Sequence, residues 1–441
     1  MIQTIRKAWG VPELRKKIVF TLLILLIFRI GNAIPVPYIN TTLLGNYLDS
    51  MSGTVLGLYN VMSGGAFAEA TVFALGVQPY INSSIIIQLL TIAIPALERL
   101  ARDGGEAGKK KIASITRYAT VAIALLQGFG YYMICKNYNI LEQQGIWPAL
   151  VIIVSFVAGS SFVMWLGEQV NEFGVGNGIS IILFAGILSR MPNMVTMGAS
   201  YIRTKGSIGC LWIALLIVGM LAMVVLIVHV NEAERRIPVQ YAKRVVGRKM
   251  YGGQNTHIPI KVNMSGVMPI IFAGSILSIP PTIQMFIPSA KLADSKFWTG
   301  FFKVFTSTHW AYGIIYFILI IAFAYFYSSI QYNPIEMSQN IAKNGGMIPG
   351  IRTGRPTSDY IARIISRITL LGALLLSVVA IFPIVFSQLT TLILTKTTVY
   401  ADGMNVSLGG TSIIILVGVA LETVKQLESQ MMMRHYKGFL D

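Results

Sequence analysis

About ten apolar windows follow one another along this chain, each almost free of charge and long enough to cross a bilayer. A transmembrane helix needs about 20 consecutive, predominantly apolar residues. The windows lie at residues 18–38, 76–97, 113–135, 147–167, 177–197, 209–230, 264–288, 311–332, 366–390 and 409–430. They predict an all-α polytopic membrane protein of about ten transmembrane helices.

The composition agrees with a membrane protein. Only 12% of the residues are charged, whereas soluble domains carry about 25% charged residues. The formal net charge of +17 would suggest nucleic-acid binding in a soluble chain, but the cytoplasmic loops of membrane proteins also collect Lys and Arg. The 2 cysteines are too few for a disulfide framework, and the 4 scattered histidines show no metal-ligand spacing.

The distribution of positive charge predicts how the helices are oriented. On one side, 26 Lys and Arg residues lie in or beside the terminal segments and loops, against 8 on the other. Because positive charge marks the cytoplasmic side, we expect both termini to be cytoplasmic. Ten spans divide into two halves of five, residues 1–199 and 200–441, and a duplicated odd-numbered half inserts upside down. The prediction is two inverted five-helix halves with a cavity between them.

The predicted spans contain almost no ionisable residues. Arg29 lies near the outer end of the first span and Glu422 toward the cytoplasmic end of the tenth, whereas coupled carriers place acids or bases at mid-membrane. A passage lined by apolar or weakly polar groups suits a varied substrate better than a selected ion. The alternative is a secondary transporter for a small apolar or zwitterionic solute, with helices broken at Pro79, Pro269 and Pro280. The spans contain no GxSG, HExxH or paired-Asp arrangement of an intramembrane enzyme.

The connection between spans one and two is unusually apolar. Ser50–Leu75 contains Gly64-Gly65 and Glu69 but no Lys or Arg. Two interpretations stay open: a re-entrant segment buried in protein, or an amphipathic helix on the surface.

The connection between spans six and seven, about 231–263, is basic and long. It has β-rich pieces around Ile237–Tyr241 and Ile258–Val262, with Gly252-Gly253 between them. The pattern predicts a cytoplasmic β-hairpin with a basic tip. A loop that serves topology only would explain the Lys and Arg residues but not the hairpin.

Seven stretches, spread in order from the first span to the last, carry a family resemblance. They are FRIGNAIPVPYI (Phe28–Ile39), GVQPYINSSIIIQLL (Gly76–Leu90), WLGEQVNEFGVGNGISIILF (Trp165–Phe184), ERRIPVQYAKR (Glu234–Arg244), NMSGVMPIIFAGSI (Asn263–Ile276), PGIRTGRPT (Pro349–Thr357) and GGTSIIILVGVALE (Gly409–Glu422). Together they resemble the SecY family. GVGNG (Gly174–Gly178) alone could be taken for a nucleotide loop, but it lacks a preceding strand and a later acidic residue.

The resemblance implies a protein-conducting channel, not an enzyme, in which the two halves form a clamshell around an hourglass-shaped pore. A ring of aliphatic side chains would close the waist. The ring residues carried over from the family are Val77, Ile81, Ile179, Leu183, Val267, Ile271 and Ile415, with Val77 and Leu183 replacing isoleucine. The paired members on one span are spaced i, i+4, which places them on one helix face. A narrow aliphatic constriction excludes water and therefore ions.

The resemblance also implies a second seal and a lateral exit. A plug segment at about 54–74 would fill the outer funnel, with Phe67 near Val267; its named residues are Asn60, Gly64, Gly65, Phe67 and Glu69. A lateral gate between spans two and three and spans seven and eight would release hydrophobic segments into lipid. Its polar residues would be Gln88, Thr91, Gln127 and Ser275.

Energy for transport must come from a partner or from the membrane potential, because the chain has no Walker motif. The resemblance implies that a ribosome or the SecA motor ATPase docks on cytoplasmic loops at about 231–263 and 332–366. The basic residues assigned to their tips are Arg235, Arg236, Lys243, Arg244, Arg352 and Arg355. Further implied are the small subunits SecE and SecG, secretory preproteins with signal peptides, contact with membrane lipid, a place in the plasma (inner) membrane, and no cofactor or metal.

Overall fold

The computed structural model describes residues 2–50, 60, 63–102, 104–241, 244–246, 249–251, 255–263, 266–277, 279–284, 296–305, 309–397 and 410–437. The helices are α1 (Ile2–Trp9), α2 (Pro12–Gly31), α3 (Thr41–Ser50), α4 (Gln78–Ala93), α5 (Pro95–Arg102), α6 (Gly105–Asn137), α7 (Ile146–Phe173), α8 (Gly178–Ser189), α9 (Met191–Glu232), α10 (Met268–Leu277), α11 (Ile279–Gln284), α12 (Lys296–Val304), α13 (Trp310–Gln331), α14 (Pro334–Lys343), α15 (Arg355–Thr397) and α16 (Gly410–Lys437). The strands are β1 (Glu234–Tyr241), β2 (Arg244–Val246), β3 (Lys249–Tyr251), β4 (Asn255–Lys261) and β5 (Gly346–Met347).

Within the described part of the chain, 6 helical stretches are long and apolar enough to cross a membrane, or 7 if α4 and α5 form one bent span. The six are Gly105–Asn137, Ile146–Phe173, Gly178–Thr204, Gly209–Glu232, Trp310–Lys343 and Arg355–Thr390. Each overlaps one predicted window, so the mainly helical, multi-pass class is confirmed. The total of ten spans and their orientation stay predictions.

The first predicted window extends too far. α2 ends at Gly31, whereas the window runs to residue 38. Pro35 and Pro37 follow closely, and proline removes a backbone donor and restricts the preceding residue to extended conformations. The chain after α2 instead pairs with the connection to span two, where Pro35 forms an isolated β-bridge with Thr71. The prediction of helix over 32–38 was therefore wrong.

Two sharp breaks shape the other spans. α4 and α5 meet at an angle of 106°, because Ile94 precedes Pro95 and adopts an extended conformation with φ −110° and ψ 110°. α9 is broken at Gly206, whose φ of 60° suits glycine and few other residues. That break separates the fifth and sixth predicted spans.

The GVGNG stretch forms a tight turn between two helices. α7 continues to Phe173, beyond its predicted end, and α8 begins at Gly178. Gly176 has φ 81°, and the Asn177 side chain accepts a hydrogen bond from the backbone N–H of Ser180 (3.3 Å), which caps α8. The stretch therefore forms a tight turn between α7 and α8, which are in close contact. This agrees with the rejection of a nucleotide loop.

One large hydrophobic cluster lies at the centre of the bundle. We call it the central cluster; its buried members include Phe28, Ile81, Leu183, Ile270 and Ile320. These residues come from both halves of the chain. The two halves of the chain therefore contact each other through packed aliphatic and aromatic side chains.

The two predicted cytoplasmic loops fold together into one unit, which we call the cap: β1, β4 and residues 334–368, which contain α14, β5, the turn after β5 and the start of α15. β1 pairs antiparallel with β4, with Ile237 opposite Ile258, and with β5, with Gln240 opposite Met347. The cap has its own core, whose buried members are Ile237, Val239, Ile260, Ile341, Ile348, Ile361 and Ile365.

The cap confirms the hairpin and corrects the all-α class, because strands are present. It also shows that residues 332–366, predicted as a loop, are largely helical. Nearer the tip, β2 and β3 form a second antiparallel pair, with Val245 opposite Met250. The Gly252-Gly253 turn lies outside the described residues.

Candidate functional site

All seven predicted ring residues lie in the central cluster or directly against it. They belong to α4, α8, α10 and α16 or, for Val77 and Val267, to the residues just before α4 and α10. Val77, Ile81, Leu183 and Ile415 are buried members, and Ile179, Val267 and Ile271 pack against the cluster. The structure thus brings together helices that are far apart in sequence at one aliphatic site.

Close contacts show how two ring residues are held. A side chain at Gly418 would bring its Cβ within 2.9 Å of Val267 Cγ2, so Val267 lies against α16 about one turn from Ile415. Ile179 contacts a different helix from Val267, because its Cδ1 lies against Gly167 of α7. The structure therefore packs Ile179 onto the neighbouring fourth predicted span.

The connection between α3 and α4 lies next to this site, where it contacts α8. From Ser63 to Val77 it runs as turns, and most of its side chains are buried, which favours the re-entrant interpretation over a surface helix. Gly64 (φ 73°) and Gly65 (φ 95°) provide the predicted bends. Gly64 lies against Gly186 and Ser189 of α8, about one helical turn beyond Leu183.

Polar side chains hold this connection in place. Asn32 donates from Nδ2 to the Ser63 carbonyl (3.2 Å), and Asn60 Oδ1 accepts from the backbone N–H of Ala68 (3.1 Å). Glu69 is exposed. Residues 54–59, 61 and 62 of the predicted plug lie outside the described residues.

Phe67 lies elsewhere than expected. Its ring contacts Tyr131 edge-on, with centroids 4.8 Å apart, and the Tyr131 hydroxyl donates to the Phe67 carbonyl (2.7 Å). Both residues belong to a second buried cluster with Phe156. The expected position near Val267 is therefore wrong, because an aromatic pocket formed by α6 and α7 buries the Phe67 ring.

This position leads to a crosslinking prediction. In a chain carrying Cys135→Ala and Cys210→Ala, the pair Phe67→Cys and Tyr131→Cys should be joined by a short bifunctional thiol reagent in the resting state, since the two native rings are in contact. Non-reducing gel mobility after treatment with the reagent measures the crosslink. The matched pair Phe67→Cys and Val267→Cys should not be joined. Efficient crosslinking to position 267 instead would contradict the placement of Phe67.

The four predicted gate residues lie on two packed helix pairs. Gln88 and Thr91 are on α4 and Gln127 is on α6, and α4 packs against α6. Ser275 is on α10, which packs against α13. Gln88 is exposed, and the other three are half-buried.

Sequence reasoning missed a buried hydroxyl pair beside the gate residues. Ser83 Oγ and Thr120 Oγ1 are 2.6 Å apart and join α4 to α6. Ser83 lies within the GVQPYINSSIIIQLL stretch, but nothing in the sequence pairs it with Thr120. An ion pair was missed for the same reason: Arg117 on α6 donates from Nε to Glu168 Oε1 on α7 (2.7 Å).

The basic docking residues do not share one tip. Arg235 and Arg236 are exposed at the base of β1, next to the end of α9, and Arg236 pairs with Glu234 (2.7 Å). Arg244 is on β2, nearer the tip, and Lys243 lies outside the described residues. The assignment of Arg235 and Arg236 to a tip was therefore wrong, because β1 begins directly after the helix.

Arg352 and Arg355 are exposed on a well-held turn of the cap. Gly350 (φ 79°) and Gly354 (φ 98°) shape the turn. The Ser338 hydroxyl donates to the Gly354 carbonyl (2.9 Å), and the Thr357 hydroxyl donates to the Arg352 carbonyl (2.7 Å). The backbone is fixed while the guanidinium of Arg352 faces solvent.

The described residues contain no group of three or more His, Cys, Asp or Glu side chains placed to hold a metal ion. The distinctive site is instead aliphatic, at the meeting point of several apolar helices, with a largely buried turn segment beside it and a basic cap attached to the helix ends. This arrangement defines a multi-pass membrane channel.

Comparisons with known proteins identify the kind of channel. A sequence profile of the SecY family matches residues 71–424. The protein translocase subunit SecY of Streptomyces galbus is 41% identical over 457 residues, covering 100% of both chains. Among solved structures, a protein conducting channel has a TM-score of 0.57 at 16% identity, covering 94% of this chain and 92% of that chain. Sec61 in the canine ribosome-channel complex from the endoplasmic reticulum has a TM-score of 0.51 at 15% identity, with the same coverage.

The chain belongs to the SecY family. It is a translocation channel subunit and not an enzyme. The resemblance read from seven sequence stretches is thereby confirmed.

Proposed function

We propose that this chain conducts unfolded secretory polypeptides through the aliphatic site formed by Val77, Ile81, Ile179, Leu183, Val267, Ile271 and Ile415. The observation that carries the proposal is that side chains from four separated helix regions, in both halves of the chain, meet in one central cluster. Aliphatic side chains offer a passing chain no hydrogen bonds, so they can close around it without binding it. At rest the same side chains exclude a continuous file of water.

The surrounding architecture is proposed to have ten spans in two inverted halves, residues 1–199 and 200–441, with both termini in the cytoplasm. The plasma (inner) membrane is the proposed location, in keeping with bacterial relatives such as that of Streptomyces galbus. The charge distribution in the loops supports the orientation. The cap, which contains part of the basic 6–7 segment and most of the 8–9 segment, would then face the cytoplasm.

The plug is proposed to be the segment at about 54–74, pivoting at the glycine turn. Gly64 contacts α8 near Leu183, which supports a turn at the edge of the proposed ring. The contacts of Phe67 with Tyr131 fix the following residues to α6. Phe67 would therefore stay in its pocket when the channel opens.

The lateral gate is proposed to open between the α4–α6 pair and the α10–α13 pair. Ser83 and Thr120 hold the first pair together, so it would move as a unit. Gln88, Thr91, Gln127 and Ser275 would offer polar contacts along the opening, through which hydrophobic segments and signal peptides pass into lipid.

The proposed partners are the small subunits SecE and SecG, the SecA motor ATPase and the ribosome. The exposed Arg352 and Arg355 of the cap, together with Arg244 and Lys243 of the hairpin, would contact acidic protein surfaces or RNA phosphates. The similarity in fold to a channel seen in a ribosome complex supports the ribosome as one partner.

A photocrosslinking experiment tests the conducting path. A photoreactive amino acid at Ile81 or Leu183 should crosslink to a preprotein stalled during export, because both side chains belong to the proposed ring. The same amino acid at Ile86, which is on α4 but exposed, should react with lipid and not with the preprotein. Equal preprotein crosslinking at all three positions would contradict the path, and a small-solute transporter would give none.

A further inference from the structure

We propose that α12 (Lys296–Val304) is an interfacial helix that inserts an aromatic face into the lipid headgroup region beside α11 and α13. This inference needs only a membrane-embedded bundle and does not depend on the proposed conducting path. It assigns a lipid-binding role to a segment that the sequence placed in the connection between spans seven and eight.

α12 exposes large aromatic side chains on one short helix. Phe297 is 72% exposed, Trp298 44% and Phe301 40%. Three bulky rings facing water on a 9-residue helix would be an unusual patch for a solvated loop. Aromatic rings are instead enriched where protein meets the bilayer interface.

The side of α12 next to the exposed rings is fixed to the protein. Phe302 is 5% exposed, and Phe305, just beyond the helix, packs against the central cluster. Each of two exposed rings contacts a more buried ring four residues later. The centroids of Trp298 and Phe302 are 5.7 Å apart, and those of Phe301 and Phe305 are 5.1 Å apart. The exposed rings are therefore held in place, which lowers the entropy lost when they bind lipid.

The exposed face continues into a surface that lipid must cover. α12 packs against α11 and α13. Trp310, the first residue of α13, is exposed, and so are Ile314 and Ile318 on the following two turns. The spacing i, i+4, i+8 makes one apolar stripe along a membrane-spanning helix. A tryptophan at the start of that stripe marks the depth of the interface.

The length of α12 excludes a span. At 1.5 Å per residue its 9 residues extend about 13 Å, far less than the roughly 30 Å hydrocarbon core. A short helix with one aromatic face, attached at the end of a spanning helix, fits a position along the bilayer surface.

Fluorescence quenching in lipid nanodiscs tests the proposal. The full chain carries Cys135→Ala and Cys210→Ala, and an NBD fluorophore is attached at Phe297→Cys or, separately, at Phe301→Cys. The discs contain phosphatidylcholine and phosphatidylglycerol with a nitroxide at a shallow or a deep acyl position. Glu142→Cys, at an exposed position in the turn between α6 and α7, is the matched control.

The expected result is a loss of NBD emission at positions 297 and 301 with the shallow nitroxide, a smaller loss with the deep one, and little loss with aqueous iodide. Position 142 should be quenched mainly by iodide. Two results would overturn the proposal: iodide quenching at 297 and 301 equal to that at 142, or no quenching by either lipid, which would mean that protein covers the helix. If the variant labelled at one of positions 297 and 301 does not assemble, the variant labelled at the other still tests the proposal.

Discussion

Replacing any one of Ile81, Ile271 or Ile415 with asparagine is expected to raise the resting ion conductance of the channel. Each residue lies in or against the central cluster on a different helix. An asparagine provides donors and acceptors that water can bridge. If it lowers the cost of wetting by about 1–2 kcal/mol, ion flux should rise roughly 5- to 30-fold. Planar-bilayer conductance of the purified channel measures the effect.

The same three variants should also loosen gating. Substrates with poor signal sequences should be exported better than by the unaltered chain, because the closed waist is destabilised relative to the open one. A vesicle export assay with a defective signal sequence measures this. A small-solute transporter would lose uptake without gaining leak, so the two readouts distinguish the functions.

The control for this experiment depends on the tertiary structure. Ile414 is only about 100° around the helix from Ile415 and would have been a natural control, but it is completely buried in the same cluster. Ile86 is better, because it is exposed and lies about 140° around α4 from Ile81. Ile86→Asn should not leak. If Ile86→Asn leaks as much as the three ring variants, the ring assignment is wrong.

Arg352→Glu is expected to abolish motor-driven export while leaving the channel folded and inserted. The Arg352 backbone is held by the Thr357 hydroxyl, and its side chain is exposed, so charge reversal should not disturb the cap. Reversing a charge that pairs with the partner should cost about 2 kcal/mol or more, which is a roughly 30-fold weaker complex. Export of a preprotein into vesicles and binding of purified SecA measure the two effects.

Arg363→Glu is the matched control for Arg352→Glu. Arg363 is also exposed and basic, but it lies within α15, away from the glycine-flanked turn. It should retain export close to that of the unaltered chain. If Arg352→Glu exports preprotein and binds the motor normally, the turn does not dock a partner, and its positive charge serves only to orient the helices in the membrane.

Much of the central site was predictable because helix periodicity is local. The i, i+4 spacing of Val77 with Ile81 and of Val267 with Ile271 places each pair on one face, and the family resemblance indicated which faces meet. The packing of Ile179 against Gly167 was not predictable, because it depends on how closely α7 and α8 approach. Arg235 and Arg236 were misplaced for a similar reason: their charges are visible in the sequence, but their distance from the helix end is not.

The six long apolar helices could be located from composition alone. A helix in lipid satisfies its backbone hydrogen bonds internally and needs only an apolar surface, so composition over about 20 residues suffices to find it. Prolines also act locally, as the bend at Ile94 before Pro95 shows, although the predicted window 76–97 ran through it.

Which polar and aromatic groups meet depends on how the helices pack. Phe67 with Tyr131, Ser83 with Thr120 and Arg117 with Glu168 are pairs from different helices, and no local pattern links their members. The cap is the largest example, since Ile237 and Ile348 come from segments predicted as separate loops yet share one core. Such contacts form because buried apolar area and paired polar groups stabilise one arrangement of the helices over others, and that choice depends on the whole chain at once.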